Sequence, residues 1–173
     1  MKKNIILLLL IVVFGAVCFY LGNTFDFSKN KGDYYIEQGY SFKVPSNWTE
    51  TDELGTTAFL NEEEDNGDNP FKSYIFFVKD DLLGRSPSQY FEYIKGNIKE
   101  NSENSEVLEE KEDGKFHVIY LKTVQNEINY IVGMAFLPGV NDTYSIISLN
   151  TLESGFDATK VVFEETYRSF ELR

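Results

Sequence analysis

The sequence has few of the residues that build redox, metal and histidine-dependent catalytic sites. Its 173 residues include one cysteine, Cys18, and one histidine, His117. A single cysteine excludes an internal disulfide, so packing must stabilise the fold. A single histidine excludes a multi-histidine or histidine–cysteine metal cluster, and any serine–histidine–aspartate triad would have to use it. Because His117 lies mid-strand beside apolar positions, we predict a packed, hydrogen-bonded residue.

Positive charge is also scarce. The sequence has 16 Lys and Arg residues and 28 Asp and Glu residues, which gives a formal net charge of -12 at pH 7. A surface this acidic repels phosphate backbones, so the sequence argues against a nucleic-acid partner. It also contains neither a phosphate-binding glycine loop nor a G-x-S-x-G nucleophile motif. The sequence therefore identifies no catalytic residue, no cofactor and no small-molecule substrate.

The N-terminal segment, residues 1–22, differs in character from the rest of the chain. Lys2 and Lys3 precede seventeen uncharged residues, 5–21, which would span about 25 Å as a helix. Because basic residues stay on the cytoplasmic side, we expect residues 5–21 to cross the cell membrane once, with the C-terminal part outside the cytoplasm. Two alternatives stay open: a cleaved signal peptide that releases a secreted protein, and a lipoprotein modified at Cys18.

Beyond this segment the sequence predicts a short tether and one folded domain. Residues 23–32 are polar and lack periodicity, which is typical of a flexible linker. Residues 33–173 hold most of the 15 Phe and 11 Tyr residues of the chain. This apolar content is sufficient for one core and argues against disorder, so we expect one domain over residues 33–173.

The stretch from Lys115 to Leu152 predicts three consecutive β-strands. The runs Lys115–Val124, Ile128–Leu137 and Thr143–Leu152 are rich in β-branched and aromatic residues and are separated by short polar turns. Connections this short force an antiparallel meander. Both faces of the middle strand are apolar, so we expect a covering layer on each side. Gly133 would let one of these layers approach the sheet closely.

Two segments predict the covering helices. Ser86 and Gln89 form a capping-box pattern, which indicates a helix from Pro87 to about Asn101. A second helix should run from about Asp157 to Arg168. Further strands are predicted at Tyr34–Gln38, Tyr40–Val44, Thr56–Leu60, Lys72–Val78 and Val107–Lys111. The expected fold class is α+β, an antiparallel β-sheet with a C-terminal meander, flanked by helices on both faces.

The segment Gly39-Tyr40-Ser41-Phe42-Lys43-Val44-Pro45-Ser46-Asn47-Trp48 resembles the entry signature of PsbP-like domains, G-[YF]-x-[FI]-x-[YV]-P-x-x-W. Tyr167-Arg168-Ser169-Phe170 resembles the element that closes such domains after a helix. The resemblance to this PsbP- and DcrB-like family covers about residues 33–173. It implies a β-sheet flanked by helices, and it carries no catalytic residue over to this chain. For Trp48 we predict a place in the core.

An acidic loop between two predicted strands is the one candidate metal site. Its oxygen donors could gather around a Ca²⁺ ion, and the candidates are Glu62, Glu63, Glu64, Asp65 and Asp68. The loop does not match the spacing of an EF-hand, and adjacent carboxylates repel one another unless a backbone is shaped to hold them. We therefore predict a solvated hairpin tip that binds Ca²⁺ weakly if at all.

Two classes of function follow from the sequence. The first is a protein-binding or assembly module held at the membrane surface, without catalysis and with an unidentified protein partner. The tether, the family resemblance and the lack of catalytic motifs favour it. The second is a hydrolase that uses two converging carboxylates, since 28 acidic residues allow many pairs. A Ca²⁺-binding envelope domain is a further alternative.

Overall fold

The structure is a computed structural model, and it describes residues 34–37, 40–51, 58–64, 71–101, 104–139 and 143–172. The predicted membrane anchor over residues 5–21 and the predicted tether over 23–32 lie outside these residues. Of the helices that the structure describes, none has the length and apolar character needed to cross a membrane.

The described residues form ten strands, two α-helices and a short 3-10 helix. The strands are β1 (Tyr34–Glu37), β2 (Tyr40–Lys43), β3 (Trp48–Thr51), β4 (Ala58–Asn61), β5 (Tyr74–Asp81), β6 (Ser105–Asp113), β7 (Phe116–Gln125), β8 (Ile128–Pro138), β9 (Thr143–Leu152) and β10 (Glu171–Leu172). The helices are α1 (Pro87–Asn101) and α2 (Phe156–Arg168), and the 3-10 helix Glu153–Gly155 leads into α2.

Seven of the strands form one antiparallel sheet in the order β3-β4-β5-β9-β8-β7-β6. Strands β6 to β9 pair consecutively, which confirms the predicted meander. Strand β5 then pairs along its length with β9, so the last strand of the meander lies in the middle of the sheet. A mostly antiparallel sheet with two helices is the α+β class that the sequence predicts.

Two features of the strands were not predicted. Strands β1, β2 and β10 form a separate three-stranded sheet, in which Glu171 pairs with Ser41 and Leu172 with Tyr40. A two-residue strand carries no local alternation, so its pairing partner decides its conformation. Strand β3 was missed because it is only four residues long and directly follows the turn at Pro45.

Edge strand β6 contains a β-bulge that the alternation of its residues does not reveal. Val107 pairs with Leu121 and Glu109 with Tyr120, so Leu108 is an extra residue with no partner in the register. A bulge of this kind shifts the strand by one residue, and every following side chain changes face. Val107 accordingly packs in the cluster of α1, whereas the Glu109 carboxylate contacts Lys160 of α2.

Most buried apolar residues fall into two large clusters, one around each helix, and a third, smaller cluster contains Ala58, Phe71, Tyr74, Phe76 and Leu152. Phe163 and Tyr167 of α2 share a cluster with Val118 and Tyr120 of β7. The apolar stripe of α1 shares the other cluster with Ile119 and Leu121 of the same strand, and its buried members are Tyr90, Phe91, Ile94 and Ile98. Neighbouring residues of β7 thus belong to different clusters, as expected from a strand whose successive side chains point in opposite directions.

Two local predictions about the helices are confirmed. The Ser86 backbone N–H donates to Gln89 Oε1 at 2.9 Å, and the Gln89 N–H donates to Ser86 Oγ at 3.3 Å, which is the predicted capping box. A Cβ atom on Gly133 would lie 3.0 Å from the Tyr120 ring and 3.1 Å from the Phe163 ring. Glycine at this position therefore permits the close approach of α2.

Candidate functional site

A surface groove lies between the β2–β3 turn and helix α2. Its volume is about 350 Å³. The lining residues are Lys43, Pro45, Ser46, Asn47, Trp48, Val162, Glu165 and Thr166. We call it the Trp48 groove. Five of the eight belong to the segment that resembles the PsbP-like entry signature, so that segment forms one wall and α2 forms the other.

The wall formed by the signature segment is a tight turn fixed at both ends. Pro45 ends β2 because it lacks a backbone N–H, and its carbonyl accepts the Trp48 N–H at 3.1 Å. The Asn47 amide nitrogen donates to Glu63 Oε2 at 3.1 Å, which ties the turn to the segment after β4. Ser46 and Asn47 are exposed at the rim. The turn therefore presents polar groups to solvent from a fixed backbone.

Trp48 forms part of the floor of the groove. Only 7% of its surface is exposed, and it belongs to the cluster that contains Phe59 and Phe163. The predicted core role of Trp48 is thus confirmed, although the same residue also lines the groove. Val162 packs against this cluster and is half-buried beside it. The floor is therefore apolar and continuous with the core.

The α2 wall is positioned by hydroxyl groups near the end of the helix. The Lys43 backbone N–H donates to Ser169 Oγ at 2.7 Å, and that hydroxyl donates to the Thr166 carbonyl at 2.7 Å. The Thr166 hydroxyl donates to the Val162 carbonyl at 2.9 Å, so it is used inside the helix. These bonds join β2 to α2 and hold the two walls at a fixed separation.

Two exposed charged residues line the groove and lie outside the ion pairs formed by the described residues. Lys43 and Glu165 are both exposed lining residues. Within the part of the chain that the structure describes, neither side chain belongs to an ion pair. The groove thus combines a cation, an anion and an apolar floor in one open surface.

Three other charged side chains of α2 form ion pairs with the edge strand β6. Lys160, Glu164 and Arg168 alternate with Glu109, Lys111 and Asp113 of β6 in a set of ion pairs that we call the β6–α2 ladder. Lys160 contacts Glu109 at 2.5 Å, Lys111 contacts Glu164 at 2.9 Å, and Arg168 contacts Asp113 at 2.6 Å. The ladder connects the helix to the edge strand, which is half-exposed on this side.

The carboxylates of the ladder are held as anions. Hydrogen bonds from Lys160 and then Lys111 lower the pKa of Glu109 below its ordinary value. Hydrogen bonds from Arg168 and then Tyr167 likewise lower the pKa of Asp113. A general acid in a glycosidase-type pair needs a carboxyl pKa that is raised toward neutrality. The carboxylates that this network brings together are therefore suited to ion pairing rather than to proton donation.

Three of the five candidate Ca²⁺ ligands in the acidic loop, Glu62, Glu63 and Glu64, lie among the described residues. Glu62 and Glu63 are exposed, and Asp65 and Asp68 lie outside the described residues. The Glu64 carboxylate accepts the Ser73 backbone N–H at 2.5 Å and the Ser73 hydroxyl at 2.9 Å. Among the described residues no group of three or more His, Cys, Asp or Glu side chains could hold a metal ion. Weak Ca²⁺ binding by this loop stays a prediction.

His117 lies between the edge strand and helix α1. Its Nδ1 atom is 2.5 Å from Glu112 Oε1, and its Nε2 atom is 3.2 Å from Glu110 Oε1. The Phe91 ring of α1 lies against the imidazole, with 3.9 Å between the ring centroids. Each ring nitrogen thus faces a carboxylate, as predicted for a packed and hydrogen-bonded histidine.

Sequence reasoning singled out the segment that forms one wall of the Trp48 groove, but as a signature of the fold rather than as a site, and it missed the other wall. The entry signature singled out the segment that ends at Trp48. Nothing in the sequence indicated that Val162, Glu165 and Thr166 would lie opposite it, because more than a hundred residues separate the two walls. Glu165 also follows Glu164 directly, and periodicity alone gives no reason to assign them to different networks.

Comparisons with known proteins identify the fold. No protein-family model matches the chain, and no curated protein matches it. Among solved structures, the chain is similar to the Ran-binding protein Mog1p of Saccharomyces cerevisiae, with a TM-score of 0.56 and 15% identity over 78% of this chain and 90% of that one. It is also similar to LpqN of Mycobacterium tuberculosis, described as involved in cell envelope biogenesis, with a TM-score of 0.57 and 11% identity over 79% and 86%.

A third similar structure is cyanobacterial PsbP from Synechocystis. The TM-score is 0.51, and the 15% identity extends over 88% of this chain and 99% of that one. The chain therefore has the PsbP-like fold that its entry signature predicts. At identities this low the likeness concerns the fold alone, because one fold can carry unrelated functions.

Proposed function

We propose that this protein is a membrane-anchored, extracytoplasmic module that binds a partner protein at the membrane surface and has no catalytic role of its own. The observation that carries the proposal is the Trp48 groove. Its floor is apolar, its rim is polar, and its two exposed charges form no ion pair with the described residues. An apolar centre with a polar rim is the usual composition of a protein-binding surface.

The proteins that share this fold give the proposal further support. Mog1p is described as a Ran-binding protein, and LpqN is described as involved in cell envelope biogenesis. A binding role and an envelope role thus both occur on this fold. The support is an analogy between folds, so the proposal depends on the groove itself.

The proposed location depends on the N-terminal sequence. Lys2 and Lys3 before the uncharged residues 5–21 favour a single crossing of the membrane with the domain outside the cytoplasm. The cleaved-signal and Cys18-lipoprotein alternatives place the domain on the same side. Residues 23–32 would then act as a tether that lets the domain reach a partner near the membrane.

We also infer that α1 and α2 cover opposite faces of the seven-stranded sheet. Support comes from β7, where Val118 and Tyr120 belong to the cluster of α2 and Ile119 and Leu121 to that of α1. With a helix on each face, the turn before β3, where Ser46 and Asn47 are exposed, stays accessible to a partner. The Trp48 groove lies in this region.

The hydrolase alternative has less support. It needs two carboxylates that converge on a substrate, one of them with a raised pKa. Glu109 and Asp113 have lowered pKa values and bind cations of the fold. A Ca²⁺-binding role is also less favoured, because the fold already uses the Glu64 carboxylate to hold Ser73.

Site-specific crosslinking tests the binding function. A photo-reactive residue replaces Ser46 at the groove rim in the full-length chain, in native membranes. The matched control carries the same residue at Ser88, which is exposed on α1. We expect a discrete crosslinked protein from position 46 and none from position 88. Equal labelling at both positions, or no product at position 46, would refute the binding role of this surface.

Protease treatment of intact spheroplasts tests the location. If residues 5–21 cross the membrane once with the N-terminus inside, added protease should remove the chain beyond about Gly22. A cytoplasmic marker protein that stays intact shows that the membrane is sealed. Survival of the full-length chain under these conditions would exclude the proposed orientation.

A further inference from the structure

We infer that the Trp48 groove recognises an extended polypeptide segment in which an acidic and a basic side chain flank a small apolar one. The inference rests on the proposed binding function and names the chemistry of the partner. In the bound state the acidic side chain pairs with Lys43, the basic side chain pairs with Glu165, and the apolar side chain lies on the floor beside Trp48.

The use of charge along α2 is the first argument. Glu164 is bound by Lys111 at 2.9 Å and by Arg168 at 2.8 Å, so its charge is compensated within the ladder. The adjacent Glu165 points into the groove region and belongs to none of the ion pairs among the described residues. One side of the helix thus attaches it to the sheet, and the neighbouring side offers a carboxylate to a partner.

The fixed position of Lys43 is the second argument. Its backbone N–H is held by Ser169 Oγ at 2.7 Å, so the side chain projects from a defined point beside the end of α2. The ammonium group forms no ion pair with any described residue. Two opposite charges at defined positions bind a ligand more strongly when its own charges are in the complementary order, and they repel a ligand whose charges are in the reverse order.

The openness of the groove favours a ligand that lies along its surface over one that is deeply buried. Pockets for small molecules enclose most of the ligand in an apolar cavity of about 300 to 1,000 Å³. The Trp48 groove is at the lower end of that range with about 350 Å³, and four of its lining residues, Lys43, Ser46, Asn47 and Glu165, are exposed. An extended chain can lie in such a groove with one side in contact and the other in solvent.

The rim also suits a polypeptide backbone. The Asn47 amide nitrogen is engaged by Glu63, which leaves the amide oxygen as an acceptor for a backbone N–H. The exposed Ser46 hydroxyl can donate or accept. The Thr166 hydroxyl donates its hydrogen to the Val162 carbonyl, so it can offer a ligand only an acceptor. The polar groups left over are thus of the type that binds peptide N–H and carbonyl groups.

Trp48 provides a direct reporter for the test. It is the one tryptophan of the 173-residue sequence, so the tryptophan emission of the protein comes from the groove floor alone. The full-length chain in detergent is titrated with two capped pentapeptides, Asp-Ala-Val-Ala-Arg and Arg-Ala-Val-Ala-Asp. A neutral analogue, Asn-Ala-Val-Ala-Gln, is titrated in parallel. We expect a saturable emission change with one charged order and a weaker response to the analogue.

Charge reversal provides the decisive variants. Lys43→Glu and Glu165→Lys should each weaken binding of the preferred peptide about threefold to tenfold, which corresponds to loss of one exposed ion pair and its replacement by repulsion. The double variant should prefer the opposite peptide order. Lys99→Glu and Glu100→Lys reverse two exposed charges of α1 and should leave affinity unchanged. Unchanged urea midpoints show that the variants are folded.

The outcomes separate this inference from the function on which it rests. Equal binding of the neutral analogue, or unchanged affinity in both groove variants, would overturn the charged-segment inference. If no peptide changes the emission while position 46 still crosslinks a partner, the inference is wrong and the binding function stands. If neither the peptides nor the crosslinker at position 46 gives a signal, both are wrong.

Discussion

Helices α1 and α2 pack on the same seven-stranded sheet, but they are attached to it in different ways. The attachment of α1 is mostly apolar, with Tyr90, Phe91, Ile94 and Ile98 all buried in one cluster. Its polar contacts include a hydrogen bond from the Tyr90 hydroxyl to Asp80 and an ion pair between Lys95 and Glu110 of β6. The attachment of α2 combines buried aromatic rings with the β6–α2 ladder.

The two helices are attached differently because they connect different parts of the domain. The ring centroid of Phe170, two residues after the end of α2, lies 5.6 Å from that of Tyr40 and 5.4 Å from that of Phe77, so Phe170 joins the small sheet to the large one. The ladder extends the same helix to β6, the edge strand. Charged side chains on an edge strand also discourage pairing with another chain. Helix α2 therefore unites the domain, and its ion pairs fix its position more than they add to stability.

The two helix interfaces can be compared by placing a charge in each. Ile94→Asp in α1 and Phe163→Asp in α2 should each lower the free energy of unfolding by about 4 kcal/mol or more, because both sites are buried without a partner for a carboxylate. Phe163→Asp should be the more severe, since it lies in the cluster that includes both sheets.

Urea denaturation measures the effect of these charges. Val161→Asp is the control, because 58% of its surface is exposed and its midpoint should stay near that of the wild type. If either buried aspartate unfolds at the wild-type midpoint, the corresponding helix does not pack on the sheet as described. If Ile94→Asp is the more severe, α2 is not the element that unites the domain.

Replacing one glycine near each helix by alanine compares how tightly α1 and α2 are packed. Gly133→Ala should destabilise the protein by about 1 to 3 kcal/mol, because the buried rings of Tyr120 and Phe163, 3.0 and 3.1 Å from the added Cβ atom, would have to shift within the packed core. Gly96→Ala in α1 meets no atom within 4 Å and should stabilise the protein by about 1 kcal/mol. Urea midpoints that shift in the same direction would contradict the tight packing of α2.

Acid should weaken the attachment of α2. The pKa of Asp113 lies below its ordinary 3.8 in the folded protein. Its contribution to stability is therefore complete above about pH 5 and is lost as the pH falls through the lowered pKa. Asp113→Asn should cost about 1 kcal/mol at pH 7. The difference from the wild type should shrink as the pH falls below 3.8 and through the lowered pKa, because the wild-type carboxyl then also becomes protonated.

Glu92→Gln is the control for this measurement on α1. The Glu92 side chain is 65% exposed and its carboxylate lies 3.4 Å from the Lys95 ammonium, so the substitution should change the urea midpoint little at either pH. A difference between wild type and Asp113→Asn that is as large at low pH as at neutral pH would show that Asp113 does not act through its charge.

Much of the fold could be predicted because its signals are local. The meander, the capping box at Ser86 and both helices depend on alternation, periodicity and turn residues within a few positions of one another. The Asn126 and Glu127 turn between β7 and β8 has φ values of 51° and 66°, and its shortness alone was enough to predict the hairpin. The bulge at Leu108 escaped prediction because the strand pattern stays regular through it.

The sequence by itself determined the fold class, the core strands, the two helices and the signature segment that ends at Trp48, because each depends on side-chain patterns that act over short distances. Tertiary structure alone decided that β10 pairs with β2, that Glu164 joins the ladder and that Glu165 lines the groove opposite Lys43. Two adjacent glutamates have the same local chemistry. Only the packing of α2 against β6 on one side and the Pro45 turn on the other distinguishes them.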